Sequence, residues 1–197
     1  MFSDYTLARA LWMTCLELSL LITAYLCMQL VDWDPPIWLT GIYFLFTLVW
    51  YHAARGVING NAVVLITLLI TLSFLAIKDG QDRLAGVLLA VSTIKPHLVA
   101  LLGLFVLLWA AKKDRWQLVG WFIGMMAFLI VGGVVLVPNW ILQNTWEILK
   151  FPTYNPILSL GELLGSWMPG IALQIRWGLA LVLGVVLVLE WWSAAGK

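Results

Sequence analysis

Six apolar runs dominate this sequence, at 10–31, 37–52, 62–77, 84–111, 116–137 and 171–192. Four of them exceed the roughly 20 residues a helix needs to cross a hydrocarbon core of about 30 Å. In such a solvent every backbone N–H and C=O must be satisfied within the segment, so only helices or a closed barrel are possible. A barrel would alternate apolar and polar residues over stretches of about ten, whereas 62–77 is apolar on successive residues. The expected class is all-α: a single polytopic transmembrane domain over 1–197 with about six transmembrane helices.

Composition agrees. Apolar residues make up 63% and charged residues 11% of the chain, against roughly 45–50% and about 25% in soluble domains. A formal charge of +1 leaves no basic face for nucleic acid. Cys15 and Cys27 fall in the first run without metal or redox spacing and read as small core residues. That run holds Glu17 and lacks a small-residue cleavage site, so it is expected to stay in the mature chain. Trp12, Trp33, Trp50, Trp116 and Trp192 stand near run ends, where an indole is most stable at headgroup level.

Lys and Arg counts give the orientation. With 84–111 as one crossing and the chain start cytoplasmic, six basic residues (Arg9, Arg55, Lys112, Lys113, Arg115, Lys197) lie inside and four (Lys78, Arg83, Lys150, Arg176) outside. If the chain instead turns back at Lys95-Pro96 the count becomes four inside and six outside, so charge favours the crossing. A straight helix of these 28 residues would be about 42 Å long, and Pro96 removes a central hydrogen bond, so a kinked or broken helix is expected. The connection 138–170 places Asn139, Gln143, Glu147 and Lys150 at helical spacing, as in a helix lying in the interface. Pro152 and Pro156 end it, and a second amphipathic stretch is expected at 157–167.

An ionisable group at membrane depth costs at least about 2.5–3.5 kcal/mol, so each such group is a candidate site residue. Lys95 and His97 flank Pro96, where a broken helix frees backbone groups and can line a polar cavity; the alternative is a lysine snorkelling to the headgroups. Arg176, near the start of the last run, is either a snorkelling anchor or a ligand for a lipid phosphate. Glu17 reads as a carboxyl kept neutral or bonded to a neighbouring helix. Asp32 and Asp34, in Val-Asp-Trp-Asp-Pro-Pro, are paired carboxylates able to act as a general base, to hold a divalent metal, or to be plain turn residues. No cluster with metal-ligand spacing occurs, and no cofactor is expected.

Three stretches carry a family resemblance: Leu-Ala-Arg-Ala-Leu-Trp at 7–12; Ile-Asn-Gly-Asn at 58–61 before an apolar helix; and Asp-Arg-Leu-Ala-Gly-Val-Leu-Leu at 82–89 running into Ile94-Lys95-Pro96 and the basic cluster 112–115. Together with an echo at 155–160, they resemble, over about 8–164, family 87 of the GT-C glycosyltransferases. The resemblance implies hexosyl or mannosyl transfer from a polyprenyl-phosphate sugar to a lipid or glycan acceptor, in the plasma (inner) membrane of a prokaryote. Lys95, His97, Arg176 and Asn61 would then bind substrate, with the donor lipid and membrane lipids as partners.

Asn61 stands where the family has Gln, and the family's catalytic aspartate lies upstream of anything that aligns here. Asp32 and Asp34 do not inherit that role from position. The resemblance therefore implies a fragment or shortened relative that transfers no sugar by itself. A non-enzymatic flippase or transporter subunit is the alternative, although it should show repeated half-folds and none is visible.

Overall fold

The computed structural model describes residues 2–154, 166–168 and 170–194, and among them every regular element is helical. In chain order these are α1 (Phe2–Leu30), α2 (Ile37–Val49), α3 (Tyr51–Ile58), α4 (Val63–Lys78), α5 (Asp82–Ser92), α6 (Pro96–Lys112), α7 (Trp116–Leu136), α8 (Trp140–Tyr154) and α9 (Ala172–Ala194). Three stretches, Asp4–Leu30, Trp116–Leu136 and Gln174–Ala194, are long and apolar enough to cross a bilayer. A fourth span forms if α2 and α3, bent by 53° at Trp50, count as one. α4 and α6 are apolar but shorter. The protein is thus polytopic and all-helical, as expected; among the described residues three or four spans are full-length, with shorter apolar helices beside them.

The chain divides into two compact units, Met1–Ala127 and Phe128–Lys197. In the first, α4 packs on α1 and on α5. Leu16, Val57 and Val64 bury one small core between α1, α3 and α4. A larger core joins Ile66 and Ala76 of α4, Ala85 and Leu89 of α5, Val99, Val106 and Ala110 of α6, and Leu118 of α7. Hydroxyls within these helices find acceptors without water. Ser19 and Thr23 each donate to the carbonyl four residues back at 2.7 Å, and Ser73 Oγ, fully inside, crosses to the Ala85 carbonyl at 2.9 Å. An unpaired hydroxyl there would cost about 1–3 kcal/mol, so the Ser73 bond also fixes how α4 meets α5.

The stretch 84–111 does not cross as one helix. It breaks at Thr93–Lys95, where Ser92 and Thr93 hydroxyls donate to the Leu89 and Ala90 carbonyls, both at 2.6 Å. Lys95, as the residue before a proline, is pushed into an extended conformation (φ −118°, ψ 85°). Pro96 then starts α6 where its missing N–H costs nothing.

After the break the chain returns. Arg115, beyond the end of α6, donates to the Ile77 carbonyl at 3.1 Å and forms an ion pair with Asp82 at the start of α5. Arg83 Nε reaches Gln117 Oε1 at 3.4 Å, and at the other end of α5 Thr93 Oγ1 meets Met126 Sδ at 3.2 Å. α7 therefore runs beside α5 in the same direction, and α6 must carry the chain back to the end from which α5 set out. The single crossing expected from the charge count is corrected by this hairpin. The count went astray because it held the chain start in the cytoplasm for both alternatives; with the start outside, the turn-back also places six basic residues inside and four outside.

In the second unit, the last turns of α7 lead into α8 through a tight turn in which the Trp140 indole lies on Gly133. A Cβ at that glycine would fall 2.7 Å from Trp140 Nε1. Asn139, just before α8, lines a common groove with Leu142, Gln143, Trp146, Glu147 and Lys150 of α8, the helix expected from the spacing of the polar residues. Of the second amphipathic stretch only Ser166, Trp167 and their short neighbourhood are described. The remainder, the motif echo at 155–160 and Lys197 lie outside the described residues.

Candidate functional site

The turn between α3 and α4 is built from within. Gly60 adopts φ +62°, a region closed to most residues with a Cβ, and its N–H bonds to the Val57 carbonyl at 2.9 Å while Asn61 N–H reaches Gly56 O at 2.8 Å. The Asn61 side chain turns forward, and its Oδ1 accepts from the Val63 N–H at 3.2 Å. That bond satisfies one of the donors left over at the start of α4.

Two distant elements fasten onto this turn. Trp12 of α1 donates its indole N–H to the Gly60 carbonyl at 3.0 Å. From the break between α5 and α6, Lys95 Nζ donates to Asn61 Oδ1 at 2.5 Å. Lys95 and Asn61 are both half-buried. Among the described residues no carboxylate pairs with Lys95. The ammonium is thus held in place by a neutral amide oxygen that leaves its charge intact. A fixed cation beside a backbone break, with two further N–H donors, can accept an anion such as a phosphate.

The other expected site residues fall elsewhere. His97 is exposed on the first turn of α6, two residues from Lys95. Glu17 is exposed on α1 and does not pair with Lys95. Asp32 sits at φ +52° just past α1, and its carboxylate binds Lys78 Nζ at 2.7 Å. The same ammonium donates to the Gln29 and Leu30 carbonyls at 2.9 and 3.2 Å, closing the end of α1. Lys78 ends α4 whereas Asn61 precedes its start, so about 24 Å of helix separates Asp32 from Lys95. Asp34 is an exposed neighbour of Asp32. Arg176 belongs to the second unit, where its guanidinium lies 5.6 Å from the Trp177 ring centre.

The sequence reading overlooked Asp82. Its carboxylate is mostly buried and paired with Arg115, whose guanidinium also lies 5.2 Å from the Trp109 ring centre. The signal was present in the Asp-Arg-Leu-Ala-Gly motif, but only the hairpin reveals that the basic cluster after α6 is its partner. Among the described residues no three His, Cys, Asp or Glu side chains gather as a metal site would require.

The family model of glycosyltransferase family 87 matches residues 1–196, well past the stretch its motifs cover. No curated protein and no solved structure matches the chain.

Proposed function

The chain belongs to glycosyltransferase family 87, and from this premise we propose that it binds a polyprenyl-phosphate sugar, often a mannosyl donor, with Lys95 as the contact to the lipid phosphate. The observation that carries the reading is the Lys95–Asn61 bond at the hairpin tip. Transfer breaks the bond between the anomeric carbon and the phosphate oxygen, and negative charge grows on the departing phosphate. A cation already fixed in place stabilises that charge without reorganising. The acceptor is a lipid or glycan hydroxyl. The carboxylate that would take its proton is not Asp32, which Lys78 holds at the far end of α4.

This reading places the hairpin tip toward the outer leaflet of a prokaryotic plasma membrane, and the corrected fold supports that orientation. The end of the first unit where α4 and α6 finish carries Lys78, Arg83, Lys112, Lys113 and Arg115; the end bearing the α3–α4 turn carries Arg9, Arg55 and Lys95. Five against three favours the former as the cytoplasmic end. Accessibility labels on Asn59→Cys and Lys113→Cys are expected on opposite faces of the membrane, with Lys113 cytoplasmic and Gln81→Cys on its side. Lys113 and Gln81 on opposite faces would restore the crossing and remove the hairpin.

The donor assignment is tested by photo-crosslinking. A polyprenyl phosphate with a photoreactive group beside the phosphate is expected to label 58–61 and 94–97. Labelling confined to 29–34 or 79–83 would refute the assignment.

A further inference from the structure

On the α1 side of the same turn lies a feature that the donor reading does not use. Tyr5, Arg9, Trp12 and Met13 line one wall of an open groove of about 310 Å³, and Ile58, Asn59 and Gly60 line the other. Its depth follows from the sequence. Arg9 is the last charged residue before the apolar run that starts at Ala10, and Trp12 is the kind of side chain that settles at the headgroup boundary. The groove therefore opens at headgroup level.

Its chemistry is that of an anion site. The Arg9 guanidinium is exposed, and among the described residues no carboxylate pairs with it. Arg55, by comparison, is engaged by the Tyr51 hydroxyl at 3.2 Å. Tyr5 brings a phenol hydroxyl one turn before Arg9, and exposed Asn59 brings an amide from the opposite wall. Trp12 has spent its N–H on Gly60, so it offers only its ring as an apolar side. A guanidinium matches two phosphate oxygens at once, which an ammonium cannot do.

We propose that this groove binds the phosphate of an anionic membrane lipid, with Arg9 as the two-pronged contact and Tyr5 and Asn59 as neutral donors. The site is separate from Lys95 and holds whether or not the donor reading is right. Dihexanoyl phosphatidylglycerol titrated into the purified chain in neutral detergent, followed by native mass spectrometry, tests it.

The expected result is saturable binding at least tenfold tighter than that of the phosphatidylcholine analogue. Arg9→Gln should lose this preference, Arg9→Lys should recover part of it, and Arg55→Gln should keep it. Arg9 is exposed, so these variants should fold, and unchanged melting temperatures would verify that. Equal binding of the two lipids, or an Arg9→Gln variant indistinguishable from the parent, overturns the proposal. Displacement by millimolar inorganic phosphate would make the site one for free phosphate, and displacement by polyprenyl phosphate would merge it with the Lys95 site. Either result also overturns it.

Discussion

Replacing Gly86 by Ala is expected to destabilise the first unit by about 3 kcal/mol, the upper part of the range for overpacked cores. A Cβ at this position would lie 2.4 Å from the Leu118 carbonyl oxygen, 2.9 Å from the Phe122 nitrogen and 3.2 Å from Trp121 Cβ. Two of these three are backbone atoms, which cannot swing aside as a side chain would. Relief requires α5 and α7 to separate, and that opens the core around Ala85, Leu89 and Leu118. Gly86→Val, which adds two more carbons, should prevent stable folding.

The control is Gly103 in α6, which is buried but whose nearest neighbour to an added Cβ is Val99 Cγ1 at 4.0 Å. There Ala fits without a clash and gains helix propensity, so Gly103→Ala should be neutral or stabilising by up to about 1 kcal/mol. Thermal melts of both variants in the same detergent decide the matter. A Gly86→Ala melt superimposable on the parent would mean that α5 and α7 do not touch, and the hairpin return of α6 would fall with that contact.

The second large effect concerns Lys95. Lys95→Met keeps most of the side-chain volume and removes the charge, and Asn61 Oδ1 retains its bond from Val63 N–H, so no buried acceptor is orphaned. Stability in detergent should therefore be kept or improved, because the cost of desolvating the ammonium disappears. Polyprenyl-phosphate affinity should fall roughly ten- to a hundredfold, the equivalent of about 1.5–3 kcal/mol for a lost charge-assisted contact. Normal lipid binding in a destabilised Lys95→Met chain would make the lysine a structural tether for the Asn61 turn and nothing more. Measuring melting and binding on the same preparation separates the two outcomes.

The membrane setting, the helical class and most helix positions were legible in the sequence because they depend on local quantities. Continuous apolar runs leave the backbone no partner but itself, and Pro96 together with the hydroxyls of Ser92 and Thr93 dictates a break wherever the rest of the chain lies. The bend at Trp50 was not legible, since neither proline nor glycine marks it, and α3 turns there to bury Val57 against Leu16 and Val64. Lys95 was singled out by the cost of its charge at depth, and Asn61 by its place in a motif.

That these two residues hold each other could not be foreseen. Thirty-four positions separate them, and hydropathy and charge counts say nothing about which helix faces which. The direction of α6 was likewise decided by tertiary contacts alone: the Arg115–Asp82 pair, the Arg115 bond to Ile77 and the close approach of α7 at Gly86. A broken helix can continue or turn back at almost the same local energy. Only the side chains it meets afterwards select between the two, and here they bring the charged end of α6 back to the start of α5.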